Sequence, residues 1–339
     1  MSLDSRPQRT VEIAVEVSDQ KEAEASVSSV KIEPKFWDHP HYVEITGVDD
    51  SFDDGSAPFK VTFTMDSSDQ AFAAAKHAPQ VVECFNLDDD VSEILVSFAS
   101  DSGSSEHGSL RSTTEGVSEK WLPVFFQLSS QPTDSVQLDI RSQDATEGLL
   151  SLARDEAKAS TGIQITIAAE RWNVPHKIFV MGVDDNIADG DQYYDISVKP
   201  ATSDKNYASA GTVTKIVNHD DDTVNVLVES KSRNLATTES AEEDAFQNFW
   251  AFDVKLATQP LFPVVIKISS TDDTEGKVSK TRLEFPAGKG WDEVKEVRVS
   301  GVDDDLVDGD QEFEVFLEID SLDEDYAAIN LEPFKSINL

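Results

Sequence analysis

Apolar and polar residues alternate in short runs along most of the chain. Val11–Val17 (VEIAVEV) and residues 163–167 (IQITI), 294–299 (VKEVRV) and 313–319 (FEVFLEI) place apolar side chains at nearly every second position. A two-residue period sets one face of an extended strand against a core and the other in water. The runs are separated by turns rich in Gly, Asp and Ser. This predicts an all-β chain of tandem antiparallel β-sandwiches, Ig-like, with about seven strands per module. Residues 69–79 (DQAFAAAKHAP) form the one segment that reads as a short helix, or equally as a loop.

The pattern repeats. GVDDSFDDGSAPF begins at Gly47, GVDDNIADGDQYY at Gly182 and GVDDDLVDGDQEF at Gly301, at spacings of 135 and 119 residues (182 − 47 and 301 − 182). Ten residues before each copy stands a tryptophan, Trp37, Trp172 or Trp291, which reads as a strand-end residue covering the sandwich. Further upstream, LDSRP, LSSQP and LATQP begin at Leu3, Leu128 and Leu256. Each leads into a strand-like run closed by an acidic loop: VSDQKEA, SQDATEG or STDDTEG. The first two copies end in NLDDD and NHDDD, the third in SINL. Self-similarity of this kind marks a tandem array, with modules over 1–90, 91–222 and 223–339. The first lacks the segment that precedes the L-x-S/T-x-P element elsewhere, and the third lacks a closing triplet. The expectation is a piece of a longer array whose end modules are less stable than the middle one.

Charge narrows the function. Against 28 Lys and Arg, the 339 residues carry 66 Asp and Glu, a formal charge of −38. Such a chain repels phosphate backbones and anionic headgroups, which excludes nucleic acid and the membrane surface as direct partners, and it attracts cations. A hydrophobic share of 39%, with 18 Phe and 5 Trp, separates it from a disordered acidic tail. Cys84 is the one cysteine, so no intrachain disulfide forms; within VVECF it reads as a small buried side chain. No apolar run approaches a membrane span, and MSLDSRPQRT lacks the apolar region of a signal peptide.

Carboxylates crowded into one loop repel one another and need a compensating partner. Oxygen ligands on a flexible, glycine-containing loop suit Ca²⁺, which takes six to eight oxygens, better than the strictly octahedral Mg²⁺. Zinc calls for His or Cys, and only His39 and His41 lie close together. Asp and Gly also favour hairpin turns for backbone reasons, so a single DDxxxDGD is explained equally well by turn chemistry or a solvated acidic surface. Turn chemistry accounts for one or two acidic positions per loop, whereas acidic loops recur here at three places in each module. If those places share one end of the sandwich, they converge on one site.

A Val-Asp-Asp turn, an acidic-Gly-acidic step, an aromatic strand and a closing Asp-Asp-Asp, in register over nearly the whole chain, resemble the Calx-beta module of sodium–calcium exchangers, integrin β chains and large adhesins. The resemblance implies seven-stranded sandwiches with calcium at one tip, held by three acidic loops and the closing run. Carried over, the ligands of the second module are Asp184, Asp185, Asp189 and Asp191, Asp144 from the earlier loop, Glu115 near the first strand, and Asp220, Asp221 and Asp222 at the end. In the first module they are Asp19, Asp49, Asp50, Asp54, Asp88, Asp89 and Asp90; in the third, Glu239, Asp272, Asp303, Asp304, Asp308 and Asp310. Ala57, Gln192 and Gln311 stand where calcium-binding members carry a later glutamate, and Ser56 stands where the other modules have Asp191 and Asp310. Fewer charged ligands imply weaker binding.

The expected function is a calcium-binding segment of a large surface, extracellular-matrix or adhesion protein, a spacer or stalk at the cell surface or outside the cell. Its partners would be calcium ions, neighbouring modules of the same longer chain and other surface or matrix proteins. Ions at the closing triplets, with the next modules starting directly at Val91 and Thr223, would fix the angle between neighbours. A regulatory calcium sensor of a transporter and a metal-free structural array stand as alternatives. An enzyme is not expected. G-x-S-x-G, H-E-x-x-H and a phosphate-cradling loop are missing, and carboxylates recurring in every module favour ligation over a single glycosidase-like site.

Overall fold

Alternation in the sequence becomes alternation in burial. In β1 (Val11–Val17), Val11, Ile13 and Val15 are buried while Ala14 and Glu16 face water. The computed structural model describes residues 1–73, 77–98, 111–116, 120–239, 248–306 and 308–339. The first repeat continues with β2 (Ala23–Ala25), β3 (Ser29–Ile32), β4 (Ile45–Gly47), β5 (Ala57–Ser67) and β6 (Gln80–Asn86). They form one sheet in the order β3-β1-β5-β6 and a two-stranded sheet β2-β4.

The second repeat contains β7 (Ile94–Phe98), β8 (Ser112–Thr114), β9 (Trp121–Leu128), β10 (Val136–Ser142), β11 (Gly148–Ser151), β12 (Gly162–Ile167), β13 (His176–Gly182), β14 (Gln192–Ala201) and β15 (Thr212–His219). Its sheets run β12-β10-β14-β15-β8 and β11-β13-β9-β7. The third repeats this order with β16 (Val226–Ser230), β17 (Ala236–Thr237), β18 (Phe249–Leu256), β19 (Val264–Ser270), β20 (Gly276–Val278), β21 (Arg282–Phe285), β22 (Lys295–Gly301), β23 (Gln311–Ser321) and β24 (Phe334–Asn338). Its sheets run β17-β24-β23-β19-β21 and β16-β18-β22-β20. Among the described residues each of these two repeats shows nine segments, because two of the seven strands expected are divided between both sheets, as β7 with β8 and β11 with β12 in the second repeat. Among the described residues, every sheet draws its strands from one repeat.

Among the described residues two pairings are parallel, and they are equivalent: β8 lies beside β15 and β17 beside β24. They bring the start of each of these repeats alongside its last strand. In the first repeat β6 is an edge strand among the described residues, and Val81, Val82 and Phe85 on it are exposed. That edge position also leaves Cys84 half-buried rather than fully enclosed. The segment 69–79 begins with a turn, Phe72 N–H donating to the Asp69 carbonyl at 3.0 Å, which drives Phe72 into the core; residues 74–76 lie outside the described residues.

The L-x-S/T-x-P elements join each repeat to the one before. Buried Tyr207 donates its hydroxyl to the Ser130 carbonyl at 2.7 Å and accepts from Ser130 N–H at 3.0 Å; Tyr326 does the same to Thr258 at 2.6 and 3.2 Å. The next residue, Gln131 or Gln259, donates its N–H across the junction to the carbonyl of Ser51 or Asn186, both at 2.6 Å. Ser51 and Asn186 are the fifth residues of their GVDD loops. β7 and β16 begin at Ile94 and Val226 rather than at once after the acidic triplets. Trp37, Trp172 and Trp291 pack half-buried against the cores of their repeats.

Candidate metal centre

Backbone bonds gather the acidic loops at one end of each sandwich. The N–H after the GVDD glycine donates to the carbonyl of the glutamate that ends the upstream acidic turn: Val48 to Glu22 at 3.0 Å, Val183 to Glu147 at 3.1 Å and Val302 to Glu275 at 3.0 Å. The strand that opens the second and third repeats is tied to their end, Glu115 N–H donating to the His219 carbonyl at 3.0 Å and Glu239 N–H to Leu339 at 3.1 Å. The three loops and the closing run therefore meet, as their recurrence in sequence suggests.

Each loop is held by its own carboxylates. Asp50, Asp185 and Asp304 accept from the N–H two residues on, Phe52, Ile187 and Leu306, at 2.7–2.8 Å. Asp220 receives Gly190 N–H at 2.7 Å and Asp222 N–H at 2.7 Å, and Asp88 receives Gly55 and Asp90 N–H at 2.6 and 2.9 Å. The first aspartate of each triplet thus fastens the closing run to the D-G step, where Gly190 has a φ of +77°, which a side chain rarely adopts.

At this end of the second repeat three carboxylates converge. Glu115, Asp185 and Asp222 each offer an oxygen lying within 4.8 Å of the others, and Glu115 forms a second such group with Asp184 and Asp221. Glu115 is only 4% exposed, its Oε2 has no hydrogen-bond partner, and neither does the buried Oδ2 of Asp222. Burial, reinforced by Asp185, Asp220, Glu147 and Asp189, pushes the Glu115 carboxyl up to about 8. Burial and its aspartate neighbours likewise raise Asp222, and the same causes raise Asp90 in the first repeat. A buried anion with an idle oxygen facing other anions is costly unless a cation compensates it. The donors are all carboxylate oxygens, which fits a hard cation such as Ca²⁺.

The third repeat gathers Glu275, Asp304 and Asp308. Its Glu239 is half-buried and raised by burial and by Asp304, Asp308, Glu275 and Asp303. In the first repeat Glu22, Asp49, Asp50, Asp54, Asp88, Asp89 and Asp90 line a single concavity beside Asn86.

Not every acidic residue singled out in sequence faces inward. Asp144 accepts from Thr146 N–H at 3.0 Å and Thr146 Oγ1 at 2.6 Å, Asp272 from Thr274 in the same way, and Asp19 from Lys21 N–H at 3.0 Å. They cap their own turns. Asp191 pairs with His219 Nδ1 at 2.8 Å, and among the described residues neither Asp191 nor Asp310 belongs to a converging group. Sequence reading passed over Glu22, Glu147, Glu275 and the asparagines Asn86, Asn218 and Asn338. Their signal was present: the glutamate three residues after the turn's aspartate and the asparagine of N-x-D-D-D recur in register.

The glycine that opens each GVDD loop has a packing role. A Cβ on Gly182 would overlap Asn218 Oδ1 and the Thr114 carbonyl, and one on Gly47 or Gly301 would overlap Asn86 or Asn338. Gly182→Ala is therefore expected to destabilise the second repeat by about 1–3 kcal/mol, as overpacking does, and to weaken cation binding there. Urea titration with and without calcium measures both; unchanged stability would contradict this packing.

No protein-family profile and no curated protein matches the chain. Among solved structures it is similar to the calcium binding domain CBD12 of CALX1.1, at 13% identity and a TM-score of 0.28 over 61% of this chain and 76% of that one. It is also similar to extracellular cadherin domains 1–4 of Protocadherin Gamma B7, at 10% identity and a TM-score of 0.29 over 95% and 64%. Domains 4–9 of the surface layer protein SbsC align at 9% identity and a TM-score of 0.25 over 96% of this chain and 39% of that one. Overlaps this low carry no argument, and the chain's own geometry bears any reading of the site.

Proposed function

We propose that this chain is a calcium-binding segment of tandem β-sandwich modules, over 1–90, 91–222 and 223–339, serving as a spacer or adhesive stalk of a surface or matrix protein and binding ions rather than catalysing a reaction. The supporting observation is the buried, unpartnered Glu115 Oε2 converging with Asp185 and Asp222. A solvated acidic surface leaves its carboxylates in water, and a turn cap satisfies them locally; this oxygen has neither. The motif resemblance to Calx-beta modules points the same way. Calcium would stiffen the junctions through the GVDD loops, whose outward carbonyls at Ser51 and Asn186 hold the next module's Gln N–H. Isothermal titration of chelator-stripped protein with Ca²⁺ should give saturable binding, tightest in the second module, which alone has both a buried first-strand glutamate and a closing triplet. Absence of binding at millimolar calcium would leave a metal-free acidic array as the better reading.

A further inference from the structure

The acidic turn before each GVDD loop carries two candidate ligands, and the structure separates them. Asp144 spends Oδ1 on two bonds within its own turn, while Glu147, only 8% exposed, points inward. Asn218, fully buried, donates its Nδ2 group to Glu115 Oε1 at 3.2 Å, Glu147 Oε2 at 3.3 Å and the Val183 carbonyl at 3.0 Å, and its Oδ1 accepts from Thr113 at 2.9 Å. One amide has two N–H bonds, so three acceptors oversubscribe it and two buried carboxylates are left facing one another, with Glu115 Oε2 idle. The third repeat reproduces the arrangement: Asn338 donates to Glu275 Oε2 at 3.2 Å and to Val302 at 3.1 Å, and accepts from Thr237 at 2.9 Å. There Glu275, 7% exposed, lies inside the converging group with Asp304 and Asp308. The first repeat has Asn86 donating to Glu22 at 3.4 Å and Val48 at 2.8 Å.

We propose that the glutamate ending this turn, Glu147 with its counterparts Glu22 and Glu275, is the turn's ligand to a divalent cation, that Asp144 is a turn cap, and that Asn218 is the positioning residue that aims Glu147 and Glu115. This rests on the calcium reading above and assigns its ligands. A carboxylate supplied three residues further along the chain comes from the buried side of the turn, next to the β13 end and the closing strand. The asparagine keeps the two glutamates apart and oriented when no ion is present.

The test compares Glu147→Gln, Asp144→Asn and Asn218→Leu in the full chain by calorimetric titration with Ca²⁺ and by melting in chelator. Glu147→Gln keeps the side chain's shape and an oxygen for Asn218, so the apo protein should melt no lower than the parent while the second module's affinity falls at least about tenfold, the scale on which loss of orienting groups already acts. Asp144→Asn should lower apo melting and change affinity by less than about threefold, as befits a turn cap outside the ligand set. Asn218→Leu should weaken binding about tenfold in the parent and far less in the Glu147→Gln background, a coupling that a purely structural asparagine would lack. If the parent binds calcium and Glu147→Gln binds it equally well, or if Asp144→Asn carries the loss, this ligand assignment is overturned while the calcium reading stands. If the parent binds none, both fall.

Discussion

Stripped of calcium, the protein should become less stable as pH rises from about 5 to about 8. Burial raises Glu115 to about 8, and it also raises Glu147, Asp222, Asp90 and Glu239. Between the unfolded carboxylate pKa and the folded one, the folded state holds protons that the unfolded chain has released, so raising pH favours unfolding. Glu115 alone is worth on the order of 3–5 kcal/mol across that window, at about 1.36 kcal/mol per pH unit. The groups with depressed pKa act elsewhere. Asp144, held low by Thr146, and Asp88, held low by the N–H groups of Asp90 and Gly55, lose their contribution only as pH falls below the ordinary aspartate range. Calcium should abolish the decline, since a bound cation replaces the protons at the same oxygens. Melting temperature against pH, in chelator and in calcium, measures this. A flat or rising chelator profile would mean that the acidic tip is better solvated than its geometry implies.

Calcium itself should raise the melting temperature by roughly 10–20 °C at neutral pH. An ion that binds only the folded state adds about 2.7 kcal/mol per site at a hundred times its dissociation constant, and about 4–8 °C accompanies each kcal/mol in a domain of about a hundred residues. Magnesium at equal concentration should do far less, because the converging oxygens impose no octahedron. Glu115→Gln should have two effects at once: the apo protein gains stability, having lost a buried carboxyl that must take up a proton in order to fold, and the calcium increment of the second repeat disappears. Scanning calorimetry of parent and variant in both media decides it. A melting temperature indifferent to calcium, magnesium and chelator alike would sink the metal reading.

The strands were legible because burial follows side-chain alternation directly, and Val11, Ile13 and Val15 needed no tertiary context. The GVDD loops and the closing triplets were legible because they recur. The direction of a side chain within a turn was not. Asp144 and Glu147 are both acidic and three residues apart, and only the fold shows that Thr146 holds one and Asn218 the other. Asp191 looked equivalent to Asp189 until His219, on the neighbouring strand, took it. The half-exposure of Cys84 depends on whether a strand covers β6, which no local pattern records.

The parallel pairing of β8 with β15 has a topological consequence. Glu115 and Asp222 stand 107 residues apart in the chain (222 − 115), yet their carboxylates meet. A cation gripping both closes a loop that takes in β9 to β15, and for a loop of about 100 residues chain-entropy estimates put such a closure near 4.7 kcal/mol. With Cys84 the lone cysteine, no sulfur bridge can do this. The ion would serve as a reversible cross-link, made and cut by the calcium content of the surrounding medium, so that resistance to pulling and to proteases becomes a property of the solution as much as of the chain.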